Sequence, residues 1–455
     1  MSREGLGRRA FLRSAGLSAL AGAVTTGSAA AAPILGPIVG LDGETPGAKV
    51  DFDSLQERFG IDSTKWDEQY RRFGGKDKVD VGMGIADMDF KSAPCIQKAL
   101  AERLQRDNWG YVTMSPAYFE TIAAFNKRRY GLEIDPKTIM NSNAVHPSII
   151  ATLRAFSPPG SRVLMFAPIY SGFYSDIRIV GNKPADVPMK LVNGRYSMDF
   201  EAFERAIDID THTTILCNPQ NPTGNVWSKQ DLMTLGEICL KHRILVLADE
   251  VHCDFINKGA KYTPFASLPN EAVVRNSVTF KSAAKSFNLA GMQVAYLFSN
   301  NKEVVAKIKA WHREGISTPG MVAQRAAYTE GDAWLDQLVA YNDANLTFVD
   351  DYMRKNIPML KSVKPEGTYL GWVDVSAVMA KIGAVAKAEE ATRNGTPTTP
   401  TQVMERWFVE HAKVQMNPGS SFGTGGEARM RMNCATSRKM LELALSNLAA
   451  ATRNL

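Results

Sequence analysis

Apolar positions along this chain fall into two alternating rhythms. Unbroken apolar runs such as Ile215-Leu216-Cys217 and Ile244-Leu245-Val246-Leu247-Ala248-Asp249 end in polar residues. That is the pattern of parallel strands buried on both faces, with ligand groups carried beyond their carboxyl ends. Between these runs, Leu232, Leu235, Ile238 and Cys239 recur at helical spacing from Ser228 to His242, and Ser228 stands where an N-cap belongs. Strand, helix and strand repeat across residues 92–330, which predicts a large α/β domain. The rhythm then changes. Residues 331–355 predict a long amphipathic helix, residues 367–375 a strand, and the Ala-, Lys- and Thr-rich stretch 376–400 a surface helix and loop. Residues 51–91 and 331–455 are accordingly assigned to a second, smaller α+β domain.

The first residues break both rhythms. Arg8-Arg9-Ala10-Phe11-Leu12-Arg13 is a twin-arginine pattern, followed by a weakly apolar stretch from Ser14 to Val24 and the small residues Ser28 to Ala32. This reads as a Tat export signal over residues 1–31, cut after Ala30 or Ala31 because Pro33 blocks cleavage directly before it. The stretch is too short and too rich in Gly, Ser and Thr to serve as a stable membrane anchor. Residues 32–50, rich in Pro, Gly and Ala, read as a linker. The expected location is periplasmic or secreted.

Composition adds little beyond this. Of 455 residues, 45% are apolar and 22% charged, as in a soluble globular protein. The net charge of +6 is inflated by Arg3, Arg8, Arg9 and Arg13 in the leader, set against Glu4 alone. No basic run with interleaved aromatics remains to bind nucleic acid. Five cysteines, Cys95, Cys217, Cys239, Cys253 and Cys434, show no metal-ligand spacing and read as buried thiols. No metal site is expected.

Lys285 carries the chemistry. It lies in Phe280-Lys281-Ser282-Ala283-Ala284-Lys285-Ser286-Phe287-Asn288-Leu289-Ala290-Gly291, downstream of Asn218-Pro219-Gln220-Asn221-Pro222-Thr223-Gly224 and Ala248-Asp249-Glu250-Val251-His252. A lysine amine forms a Schiff base with an aldehyde, and a carboxylate keeps a pyridine nitrogen protonated. Together they suggest pyridoxal 5'-phosphate (PLP) and a small-molecule amino-acid substrate.

These residues resemble the fold-type I PLP enzymes of the aminotransferase class I/II superfamily, and within it the MalY/PatB-type C–S β-lyase subgroup. The resemblance runs from about Lys65 to Arg438. It is carried further by Lys65-Trp66-Asp67, Ile85-Ala86-Asp87-Met88-Asp89-Phe90, Gly110-Tyr111, Pro168-Ile169-Tyr170, Pro365-Glu366-Gly367-Thr368-Tyr369 and Arg431-Met432-Asn433. It implies an aminotransferase-like fold with a large, mostly parallel sheet domain and a smaller α+β domain.

The resemblance also assigns roles. Lys285 would hold the cofactor and move the Cα proton, and Asp249 would pair with the pyridine nitrogen. Asn221 would donate to the 3′-oxygen, Tyr170 would stack on the ring, and His252 would occupy a position where many aminotransferases have tyrosine. The backbone N–H groups around Ala144 and Val145, and the Ser282 hydroxyl, would hold the phosphate. Gln293 stands where the family has a basic phosphate contact. Tyr111 would reach the phosphate of a neighbouring subunit, implying a homodimer. Arg431 would grip the substrate carboxylate, where a planar fork suits two oxygens. Ala86 would lie against the substrate.

Three departures stand out. Gln293 is neutral. Gly84 replaces a tryptophan usual in the subgroup, which would open space near the substrate entrance. His146 replaces an aliphatic residue, placing a polar group near the phosphate end. The reading is therefore an exported C–S β-lyase, with a periplasmic aminotransferase acting on an amino acid or an exported natural product as the alternative. A regulatory binding protein fits poorly with an export signal. An inactive pseudoenzyme fits poorly with Lys285, Asp249, Asn221 and Arg431 all present.

Overall fold

The computed structural model describes residues 48–313, 315–453 and 455. The expected export signal and all but the last three residues of the expected linker lie outside them. The described residues all belong to one compact unit.

Its centre is a seven-stranded sheet. From edge to edge the strands are Ile139–Ser142, Ala295–Phe298, Ser277–Lys281, Leu245–Asp249, Thr211–Cys217, Arg162–Ala167 and Lys183–Pro188. Only Ala295–Phe298 runs antiparallel to its neighbours. Leu245–Asp249 and Ser277–Lys281 are buried at every position, which explains the unbroken apolar run from Leu245 to Ala248. The helix Lys229–Lys241 links two of the strands. Its first turn is closed by Ser228 and Asp231, each accepting from the other's backbone N–H.

A second, three-stranded antiparallel sheet orders Leu370–Asp374, Arg429–Asn433 and Asn417–Pro418. The long helix Asp332–Asn356 passes beside it and buries Leu346, Val349 and Met353 in the same apolar cluster as Val373, Met430 and Met432. Trp66, Val81 and Met83 from the N-terminal side complete that cluster. The strand Val81–Gly82 pairs in parallel with Val414–Gln415, placing Gly82 opposite Gln415. Residues 376–400 hold two helices, Ser376–Ile382 and Ala384–Arg393. None of the described helices is long and apolar enough to cross a membrane. Four cysteines are buried, whereas Cys95 is only half-buried.

Candidate active site

Parallel strands leave their carboxyl ends on one side, and the loops there carry the polar residues. Asp249 is the last residue of its strand. It is buried, and its carboxylate accepts from the Val251 N–H at 3.1 Å. Burial raises its pKa to about 6, against the opposing charges of His146 and Lys285.

Lys285 follows the strand Ser277–Lys281 in a single short helical turn, Ala283–Ser286. Its amine donates to the Ala86 carbonyl at 2.7 Å. Burial, and then the charge of Arg431, lower its pKa to about 8, while Asp87 and Asp249 pull the other way. A neutral amine is thus accessible near physiological pH, as a nucleophile or base requires.

The Ala86 carbonyl belongs to an extended stretch whose backbone oxygens are held one after another by side chains. Gly84 O accepts from Arg431 Nη2 at 2.7 Å. Asn433 Nδ2 donates to both Ile85 O and Asp87 O at 2.6 Å. Ala86 O takes Lys285 and also the Tyr369 hydroxyl, at 2.9 Å. Met88 O takes Asn288 Nδ2 at 2.8 Å, together with Arg58. Lys65, 1% exposed, is paired with Asp89 at 2.8 Å and fixes the far end of the stretch.

Arg431 is 3% exposed on the strand Arg429–Asn433. Its Nη1 donates to Asn221 Oδ1 at 3.1 Å, and its Nε is buried without a partner. Burial lowers its pKa to about 10, with only Tyr170 and Tyr369 acting against that. A buried cation held by neutral acceptors, with one N–H unmet, is suited to an anionic ligand. Because Asn221 turns its oxygen to Arg431, its amide nitrogen remains available as a donor.

His252 is 2% exposed, and its ring meets Tyr369 edge-on at 5.7 Å. Burial, then the charges of Lys285 and Arg431, hold its pKa well below the usual histidine value. The imidazole is neutral, and its Nδ1 lacks a partner.

Tyr170 and His146 meet over Gly172, where a Cβ would lie 2.4 Å from His146 Cε1 and 2.7 Å from Tyr170 Cε1. Glycine is what permits the approach. His146 Nε2 lies 3.3 Å from the Tyr170 hydroxyl, and its Nδ1 lies 2.6 Å from Asp176 Oδ2. The Asp176 bond raises the His146 pKa although burial opposes it.

Ala144 is the N-cap of the helix Val145–Phe156, so the N–H groups of its first turn lack intrahelical acceptors. Ser282 is placed differently from the expectation of a free donor. Its hydroxyl donates to Val294 O and accepts from Ala284 N–H, capping the turn that carries Lys285. Gln293 is exposed in a left-handed conformation, φ +53°. Tyr111 is fully exposed beside Trp109. No hydrogen bond joins Gln293 or Tyr111 to the cluster around Lys285.

The space expected beyond Gly84 is filled. A Cβ there would lie 2.5 Å from both Gln415 Nε2 and Oε1, and Gly84 is buried. The missing indole leaves no opening, because a carboxamide from residue 415 has taken its place. Sequence reasoning also gave no role to Asp87, Asp176, Tyr369, Asn433 or Gln415. Asp87, Tyr369 and Asn433 at least lay within quoted motifs, and the other two carried no local signal.

The chain has known relatives. Residues 77–448 match the family model described as aminotransferase class I and II. Cystathionine β-lyase PatB of Bacillus subtilis is 33% identical over 407 residues, spanning 88% of this chain and 100% of that protein. Protein MalY of Escherichia coli is 30% identical over 412 residues, covering 89% of this chain and 99% of its own. The crystal structure of cystalysin from Treponema denticola, which contains a PLP cofactor, superposes with a TM-score of 0.81. It is 28% identical and covers 89% of this chain and 99% of its own.

Proposed function

The chain belongs to the aminotransferase class I and II family, and from that premise we propose that it is an exported, homodimeric, PLP-dependent C–S β-lyase. The residues present suit the cofactor. Asp249 is a buried carboxylate with no cation bonded to it, matching a protonated pyridine nitrogen. Asn221 has an amide nitrogen to spare for a ring oxygen, and the helix that starts at Val145 has N–H groups for a phosphate. When bound, PLP supplies an aldehyde that captures an amine and a ring that accepts an electron pair from Cα.

The protein's own groups do the rest. Arg431 binds the substrate carboxylate and so fixes which Cα bond faces Lys285. Lys285 Nζ, poised by burial near its neutral form, takes the Cα proton. The Cβ–S bond then breaks, and the sulfur leaves as a thiol once protonated. Water releases the remaining three carbons as pyruvate and the nitrogen as ammonium. The pKa of His252 is held well below the usual histidine value, which makes its imidazole too weak a base to compete with Lys285 for the proton.

The observation that carries this reading is the Lys285 amine, hydrogen-bonded to the Ala86 carbonyl at 2.7 Å with no carboxylate bonded to it, in a site where the charges of Asp249, Asp87 and Arg431 all reach it. The names of PatB and MalY's fellow relatives, and His252 at its position, favour elimination over amino transfer. The twin-arginine pattern supports export, and the exposed Tyr111 and Trp109 support a partner subunit.

The test is to incubate the purified protein with cystathionine, a cysteine conjugate and glutamate, assaying thiol, pyruvate, ammonia and keto acids. Stoichiometric thiol, pyruvate and ammonia support elimination. Keto acid without thiol, dependent on a second keto acid, would establish amino transfer instead. Fractionation of cells carrying Arg8→Lys and Arg9→Lys together tests export, which should then fail.

A further inference from the structure

A continuous set of hydrogen bonds runs from the protein surface to Arg431. Arg72, half-exposed on the helix Asp67–Phe73, grips Glu405 with two bonds of 2.7 and 2.6 Å. Glu405 is wholly buried on the helix Pro400–Ala412, so this bidentate pairing meets its charge. Its Oε1 also accepts from Gln415 Nε2 at 2.9 Å. The same amide nitrogen donates to Met416 O at 3.1 Å, and Gln415 Oε1 accepts the Gly84 N–H at 3.0 Å. Gly84 O then receives Arg431 Nη2 at 2.7 Å.

The Gln415 amide is thus satisfied at both ends and has nothing left to offer a ligand. Its influence passes through Gly84. Glycine has no Cβ to restrict its backbone, so its peptide planes can swing unless hydrogen bonds hold them. The bond from the Gly84 N–H to Gln415, with that from the Asn433 N–H to Met83 O at 2.8 Å, holds the peptide entering Gly84, and the carbonyl on the peptide leaving it is one of the two acceptors, among the described residues, that aim the Arg431 guanidinium.

We propose that Gln415, anchored by Glu405 and Arg72, is a positioning residue that sets the backbone entering Gly84 and, through the next carbonyl, the aim of Arg431 at the substrate carboxylate. This rests on the reading of Arg431 as the carboxylate grip. Gly84 and Gln415 act as one unit: an indole at 84 would collide with the amide, and an apolar residue at 415 would release the glycine.

The holoenzyme can be titrated with L-alanine and with ethylamine, followed by the visible spectrum of the bound cofactor. Both carry the amine, only alanine carries the carboxylate, and neither has a sulfur to eliminate. Gln415→Met should weaken alanine about tenfold and ethylamine less than about twofold, since a lost hydrogen bond to a buried group is worth roughly that factor. Equal weakening of both ligands, or unchanged alanine affinity in a folded Gln415→Met protein, would overturn the proposal. Arg431→Ala separates the two levels. If it does not weaken alanine selectively, the carboxylate-grip reading fails first; if it does while Gln415→Met has no effect, only the positioning role fails.

Discussion

Lys285 and Tyr369 converge on one acceptor, the Ala86 carbonyl, at 2.7 and 2.9 Å. The lysine is therefore oriented by backbone, with no carboxylate in direct contact to hold its proton. A neutral amine keeps a hydrogen for Ala86 O while its lone pair stays free, so orientation survives deprotonation.

The pH at which this amine becomes reactive should follow. Only the neutral amine is nucleophilic, and it predominates above its pKa. Capture of a pyridoxal aldehyde by the cofactor-free protein should rise through about pH 8 and level off, instead of climbing towards 10.5. Lys285→Ala should abolish that component. Arg431→Met should move the inflection upward, because the arginine charge is among the causes that lower it. Stopped-flow measurement across pH 6–11 decides; an inflection left near 10.5 would contradict the burial argument.

Asp249 is costly to the empty protein. Its pKa rises on folding from 3.8 to about 6, so the charged form opposes folding above that pH. Asp249→Asn should stabilise the cofactor-free protein at pH 8 by on the order of 2–3 kcal/mol. The gain should shrink as pH falls from about 6 towards 4, where the unfolded-state carboxyl also protonates. Urea unfolding at several pH values measures it, and the same substitution should weaken cofactor retention.

His146 has the opposite sign. Its pKa is raised on folding, chiefly by the bond to Asp176, so its stabilising effect is complete below about 6.5 and is lost as pH rises through the higher folded value. His146→Val should therefore destabilise the protein more at pH 5.5 than at pH 9. In an Asp176→Asn background that difference should largely vanish. Identical unfolding midpoints shifts at the two pH values would show the pair to be electrostatically inert.

If Tyr111 serves the site of a neighbouring subunit, two damaged chains can repair one another. Tyr111→Ala and Lys285→Ala protein, mixed one to one with subunit exchange, should form hybrid dimers with one intact site each. Activity should approach about a quarter of the undamaged level, from random pairing of two chain types in a twofold dimer. Activity no greater than the average of the two separate variants would place Tyr111 outside the partner's site.

What could be read in the sequence was mostly local. The strand ending at Asp249 and the helix opened by Ser228 are set by unbroken burial and by bonds three residues apart. The clustering of Asp249, Asn221, Lys285 and Arg431 came from motif order. Contacts between distant side chains were not legible. Gln415 meets Gly84 across 331 positions and Asp176 meets His146 across 30, and neither partner's type demands the other. Ser282 shows the same limit at short range. A hydroxyl three residues before Lys285 can face a ligand or cap a turn, and the bonds it makes to Val294 O and Ala284 N–H are not written in the local sequence.

The carbonyls of Gly84 and Ala86 hold Arg431 and Lys285, respectively. Three consecutive peptide units, the outer two carrying these carbonyls, thus act as a ruler between the group that grips a carboxylate and the group that takes a proton. Its length is set by backbone geometry, with Asn433 holding the Ile85 and Asp87 carbonyls, and no bond in it uses the side chains at 85 and 86. Substitution there can reshape the wall of the site without changing the gauge. Inserting or deleting a single residue between 84 and 86 would change it, and a substrate seated on the arginine would then present the wrong atom to the lysine.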